Sequence, residues 1–223
     1  MPNGRGIRSP KLQMKERPIL FSSEMVQAIL EGRKTQTRRI IKPQPPMGHW
    51  YSGSSGMFVR KQPLRHHWYE GSFGNNEWGL KCPYGTVDDR LWVRETFSKH
   101  PKGGYYYKAT DILPDTIEYS CRWKSPIHMP RAASRITLEI TDIMVKRVQD
   151  ITDDDARAEG CTKELARIFA GEDENNDPDS GLEFAYAISP KFLFQHLWET
   201  INAKRGYGWD TNPWVWIVKF NRR

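Results

Sequence analysis

Lys34 sits in Gly32-Arg33-Lys34-Thr35-Gln36-Thr37-Arg38-Arg39, a stretch with four cations and no acid. Neighbouring positive charge disfavours the protonated form of a lysine. A lysine whose proton is loosened in this way can act as a base or nucleophile. Thr37, three residues on, carries a hydroxyl that such a base would activate. Glu159 lies far along the chain, in the turn after a short helix, where a carboxylate can position either group or shuttle a proton. By residue chemistry alone, a solvated basic patch is the simpler account of Lys34.

Other chemistries find less support. The sequence holds no Walker A run, no GxGxxG after a strand and no HExxH. Gly53-Ser54-Ser55-Gly56 only approximates a nucleophile elbow. Cys82, Cys121, Cys161, His66, His67 and His128 are the candidate zinc ligands, but no pair has CxxC or HxxxH spacing. No metal and no cofactor is expected. Asp153, Asp154 and Asp155 suit the positive start of a helix better than a cation site.

The formal net charge is +7 and the isoelectric point about 9.3, which makes a polyanionic partner plausible. Aromatic residues make up 12% of the chain, nine of them Trp. Several stand beside cations, as in Arg90-Leu91-Trp92-Val93-Arg94, Arg122-Trp123-Lys124 and Lys204-Arg205-Gly206-Tyr207-Gly208-Trp209. Aromatics stack on bases while Arg and Lys hold phosphates, although for any single Trp the core is the better assignment. Three widely spaced cysteines do not make a disulfide framework and fit a reducing, cytoplasmic setting. No apolar run approaches the length of a membrane span. Residues 1–17 lack the apolar segment of a secretory signal and read as a mobile basic tail.

The elements that must position these groups follow from periodicity and caps. Pro18 to Phe21 reads as a strand. Ser22 or Ser23 caps a helix carrying Met25, Val26, Ile29 and Leu30, which Gly32 ends. Thr35 to Ile41 is extended, up to the prolines at 43, 45 and 46. In Val87 to Glu95 a tight turn enters a strand, with Leu91, Val93 and Glu95 on one face and Trp92, Arg94 and Thr96 on the other. Tyr105 to Ala109 is a further strand. Arg135 to Val148 alternates, with Ile136, Leu138 and Ile140 sharing a face. Thr152 caps a short helix, with Asp155 placed as the reciprocal acid of a capping box, and Gly160 ends it. Ser189-Pro190 opens an amphipathic helix with Leu193, Leu197 and Ile201 flanked by Phe194 and Trp198. Trp214 to Phe220 is a strand buried in part on both faces. Few helices among many strands predict an α+β fold around a small, curved or barrel-like sheet. Long irregular insertions are expected at 42–85, 97–130 and 162–188.

Gly32 to Arg38 resembles the Gly-x-Lys-x-x-Thr-x-Arg signature of the ASCH family, a branch of the PUA-like β-barrel superfamily. Val87 to Glu95 is similar to the family's Gly-Asp-x-Leu strand start, with Asp88 in place of the usual Gly before Asp89. Asp150 to Gly160 is similar to its Asp-Ile-x-x-x-x-Ala-x-x-Glu-Gly helix, and Trp214 to Phe220 to its terminal strand. His128-Met129-Pro130-Arg131-Ala132-Ala133-Ser134-Arg135-Ile136 looks like the longer ASCH proteins common in bacteriophages and prophages, whose setting would be the cytoplasm of a bacterial host. The resemblance implies one PUA-like small β-barrel domain over 18–223 with flanking helices. A small bacterial branch hydrolyses the amide of N4-acetylcytidine. By resemblance its catalytic groups fall on Thr37 as nucleophile, Lys34 as base and Glu159 as orienting or proton-handling group. A flipped or free base would stack on Trp92 or Trp50. Arg38, Arg94, Arg131 and Arg135, with Glu95, would meet the rest of the substrate. The resemblance therefore implies an amidohydrolase acting on a modified pyrimidine nucleoside. The alternatives are a non-catalytic reader of RNA or a modified base, with DNA also open as the polymer, and a single-strand ribonuclease.

Overall fold

The computed structural model describes residues 14–45, 82–111, 122–163, 165–166 and 189–223, and the backbone alone of 49–52 and 57–60. Most of residues 1–17, much of the three expected insertions, the Trp50 side chain, Cys121, His66 and His67 lie outside that set. The described elements run β1 (Glu16–Leu20), α1 (Ser23–Leu30), β2 (Gln36–Ile40), β3 (His49–Ser52), β4 (Met57–Arg60), β5 (Arg90–Arg94), β6 (Phe97–Lys99) and β7 (Tyr105–Tyr107). They continue with β8 (Thr137–Arg147), α2 (Asp153–Ala158), α3 (Pro190–Asn202) and β9 (Trp214–Arg222). This is a mixed α+β fold.

Five strands make the main sheet, in the order β1-β5-β8-β9-β2. β1 and β5 run parallel and the remaining pairs antiparallel. The other described strands form two separate pairs, β3 with β4 and β6 with β7. In a flat sheet the outer strands would stand roughly 19 Å apart at the usual spacing, beyond the reach of one side chain. Arg39 of β2 nevertheless donates through Nη2 to the carbonyl of Leu20 in β1, at 2.6 Å. The sheet is therefore curled, bringing its two edges together. Among the described residues the edges meet through this side chain, not through a strand ladder.

Alternation along β9 sorts the core into two layers. Trp216, Val218 and Phe220 join Ile19, Leu91, Val93, Leu138, Ile140 and the α1 residues Val26 and Ile29 on the inner side. Val215 and Ile217 face the other way, against Ala156 and Cys161 near α2 and Leu193, Phe194 and Trp198 of α3. β9 is thus buried on both faces. β8 follows its expected alternation only as far as Ile140. The register with β9 then slips by one, from Ile140↔Phe220 to Asp142↔Lys219. That bulge reverses which residues face inward, so Leu138 and Ile140 before it share a core with Val145 after it.

Several boundaries differ from the sequence expectation, each for a local reason. β1 begins at Glu16, because the Asp89 carboxylate anchors the segment just before it. Asp89 accepts from the Lys15 amide at 2.8 Å and from Arg17 at 3.0 Å. β7 stops at Tyr107, where a turn closes with Asp111 N donating to the Tyr107 carbonyl and the Asp111 carboxylate accepting from the Tyr107 amide. In α3 the inner face is Leu193, Phe194, Trp198 and Asn202, which turns Ile201 out to 40% exposure. Asp88 adopts a left-handed φ of 72°. The position does ask for a glycine-like backbone, and Asp is among the few side chains that tolerate it.

Candidate functional site

The site forms where the link between α1 and β2 crosses the turn after α2. Ser22 caps α1 through its hydroxyl, and Gly32, at φ 75°, ends the helix in the left-handed conformation. The chain then runs extended against the second turn. Lys34 bridges Glu159 backbone to backbone, and the Thr35 amide donates to the Ala158 carbonyl at 2.9 Å. α2 is capped by Thr152, whose hydroxyl accepts from the Asp155 amide, and Glu159 is its C-terminal cap residue. Gly160 follows at φ 91°, and a Cβ there would come within 3.3 Å of Ala28 Cβ and 3.6 Å of Lys34 Cβ. A glycine is needed both for the turn and for the closeness of the two segments.

This crossing brings together two residues 125 positions apart. Lys34 Nζ donates to the Glu159 carboxylate at 2.8 Å and to the Glu159 carbonyl at 2.6 Å. The Lys34 side chain has no exposure and that of Glu159 only 5%. The other carboxylate oxygen of Glu159 accepts from Arg38 Nη1 at 3.3 Å, and Arg38 Nη2 donates to Asp155 at 2.9 Å. Gln36 donates to the Asp155 carbonyl and side chain. Sequence places Lys34 among arginines; in the fold its nearest charge is the Glu159 carboxylate. Asp155 does not complete a capping box, because Arg38 and Gln36 take its carboxylate.

Alternation along β2 divides the remaining residues. Gln36 and Arg38 face α2 and α3, where the Arg38 guanidinium also lies 5.8 Å from the Phe194 ring centre. Thr37 shares its face with Arg39 and Ile41. Thr37 is buried, at 3% exposure, and opposite Val218 of β9. Phe21 stands on that side, with Lys34 Nζ 5.7 Å and the Arg39 guanidinium 5.1 Å from its ring centre. Burial pushes the Arg39 guanidinium down from its usual range, opposed by Tyr84 in its ionised form and by the Glu159 carboxylate. Among the described residues, no hydrogen bond joins the Thr37 hydroxyl to Lys34 or Glu159. Phe21 and Tyr84 escape the sequence reading as site residues, Arg39 enters it with Arg38 as a substrate or structural cation, and Asp155 only as a capping acid.

The other expected substrate contacts lie elsewhere on the sheet. Trp92 packs beside the Arg94 and Arg131 guanidiniums, 5.4 and 5.8 Å from its ring. Arg94 donates to the Ile127 carbonyl, and Arg131 pairs with Glu16. Glu95, only 1% exposed, receives both arms of the Arg135 fork at 2.9 Å, and Arg135 also stacks 4.0 Å from the Tyr107 ring centre. Cys82 and Cys161 belong to different core layers. Burial pushes the Cys161 thiol up to about 12, so it is a packing group rather than a thiolate.

Asp155 offers a direct pH test. Burial opposes its ionisation, but the Arg38 charge and the bonds from Gln36, Thr152 and Arg38 outweigh it and hold the carboxyl below its ordinary range. An acid depressed in the folded state stabilises the fold fully above its unfolded pKa, near 3.9, and loses that contribution as pH falls through its folded value. The stability difference between wild type and Asp155→Asn is therefore expected to be flat above about pH 5 and to shrink below about pH 4. Urea unfolding from pH 7 to pH 3 measures it. A gap that stays constant down to pH 3 contradicts the assignment.

Neither a protein-family model nor a curated protein sequence matches the chain. A crystal structure of an ASCH domain from Lactobacillus crispatus JV V101 is loosely similar, at 10% sequence identity and a TM-score of 0.36 over 93% of this chain and 79% of that one. No helix among the described residues is long and apolar enough to cross a membrane.

Proposed function

We propose that this chain is an ASCH-type, PUA-like protein that hydrolyses the exocyclic amide of an N4-acylated pyrimidine nucleoside. The observation that carries the reading is the buried Lys34–Glu159 pair, 2.8 Å long, with Lys34 Nζ over the same Phe21 ring as Arg39, whose strand face Thr37 shares. In this scheme Thr37 Oγ1 attacks the amide carbonyl carbon and its proton passes to Lys34. Lys34 first needs a free lone pair, and Glu159 is the adjacent acceptor for its proton. The C–N4 bond then breaks, and the departing amine takes the proton back. Water hydrolyses the acyl-threonine, releasing the carboxylic acid and restoring Thr37. Arg39 and Phe21 line the base, while Arg38 and Asp155 hold Glu159 in place.

The test is release of cytidine from N4-acetylcytidine. Wild type is expected to turn over, and Thr37→Ala, which removes the nucleophile but no charge, to fall at least about 1,000-fold, the scale on which loss of a catalytic group acts. Equal background release from wild type and Thr37→Ala rejects the hydrolase. A second reading, a non-catalytic reader of RNA or a modified base, is favoured by one observation. The Lys34 ammonium already has two acceptors and the Thr37 hydroxyl is not bonded to it. That reading expects nucleoside binding without release of product.

A further inference from the structure

A cleft remote in sequence from the Lys34 site is lined by residues from 97–105 and 122–130. Its floor is the pair β6 and β7, where Lys99 stands directly opposite Tyr105 and Phe97 packs edge-on against Tyr105 at 5.8 Å. Its wall is the segment after residue 121, held to β6 by reciprocal backbone bonds between Phe97 and Lys124 at 3.3 and 2.8 Å. Ser98 Oγ adds a bond to the Arg122 carbonyl at 3.0 Å. The open cleft has a volume of about 590 Å³, inside the roughly 300–1,000 Å³ span of small-ligand sites.

The lining has one chemical character. Lys99, Arg122, Lys124 and His128 surround it with Tyr105 and Trp123, and none of the described residues lining it is acidic. Among the described residues none of those four basic side chains has a carboxylate partner. Lys99, Arg122, Lys124 and His128 are exposed, while the Tyr105 and Trp123 rings are half-buried. Two exposed cations elsewhere, Arg131 and Arg157, do have carboxylate partners. Unpaired cations interleaved with half-buried aromatic faces match a phosphodiester chain whose bases stack. An acidic peptide would use the cations and leave the rings idle.

We infer that this cleft binds single-stranded nucleic acid, a base stacking on Trp123 or Tyr105 and the flanking phosphates meeting Lys99, Arg122 and Lys124. The site is independent of the chemistry at Lys34 and stands or falls without it. Fluorescence anisotropy with labelled ten-nucleotide oligouridine and oligodeoxythymidine tests it and separates RNA from DNA. Binding of either strand is expected to weaken with salt, with a clear log–log slope. Lys99→Ala/Arg122→Ala/Lys124→Ala should lower that slope by about 2, near 0.7 per phosphate contact on a single strand. Trp123→Ala should lower affinity about 10-fold with the slope unchanged. Lys146→Ala/Arg157→Ala/Lys191→Ala, three exposed cations outside the lining, controls for net charge and should bind like wild type. The inference is overturned if wild type binds neither strand, or if the Lys99/Arg122/Lys124 and Trp123 variants bind like wild type. It is also overturned if the Lys146/Arg157/Lys191 control weakens binding as much as the Lys99/Arg122/Lys124 variant. Equal affinity for polyglutamate would mean the rings are not used, and would overturn it as well.

Discussion

Glu159→Ala is expected to destabilise the fold by about 3–5 kcal/mol, the range for removing one partner of a buried ion pair. The size follows from what remains. Of its hydrogen bonds Lys34, with no side-chain exposure, keeps that to the Glu159 backbone carbonyl, and Arg38 keeps that to Asp155, each beside an aromatic ring. Two cations are then left under-compensated in the interior. Lys34→Met should be milder, because Glu159 retains Arg38 at 3.3 Å and a methionine fills the same linear space. The double variant Lys34→Met/Glu159→Ala is expected to lose less than the sum of the two single losses, since coupled partners are not additive. Urea unfolding at neutral pH gives the comparison, with shifts in midpoint at constant m. A loss under about 1 kcal/mol for Glu159→Ala would match a solvated surface pair instead.

Phe21→Ala is expected to cost a similar amount, about 3–5 kcal/mol for an emptied aromatic core position. Phe21 is 3% exposed, lies 6.2 Å from the Phe220 ring, and carries the Lys34 and Arg39 cations on its face. Phe21→Leu separates the two contributions. Leucine restores most of the packing but offers no ring, so the residual loss of about 1–2 kcal/mol reports the cation–π contacts and imperfect fit. If the amidohydrolase reading holds, Phe21→Leu should also raise KM more than it lowers kcat, because the ring lines the base rather than handling protons. Thermal unfolding beside N4-acetylcytidine kinetics tests both halves. Equal destabilisation by Leu and Ala would show that the ring's charge contacts, not its volume, set the stability of this corner.

Local signals were readable where the local chain decides the outcome. Ser22, Thr152 and Ser189 cap the helices expected of them, because each satisfies helix amides within its own turn. Leu91 and Val93 are buried with Glu95, as period-two alternation requires. The failures fall where a distant partner overrides the local pattern. Asp155 looks like a capping acid until Arg38 claims its carboxylate. The bulge between Ile140 and Asp142 reverses β8, because β9 carries one residue fewer across that span.

Sequence by itself determined the five main-sheet strands, β7 and the three helices, the left-handed positions at Gly32 and Gly160, and the singling out of Lys34, Thr37 and Glu159 as residue types able to do chemistry. Only the tertiary structure decided that Lys34 and Glu159 meet, that Arg38 is spent holding Glu159 and Asp155, and that Phe21 stands against Lys34 and Arg39. The reason is physical. Caps and alternation are set by bonds within a few residues. A buried charge finds its partner through the path of the whole sheet, and here that path returns the turn after α2 to the end of α1.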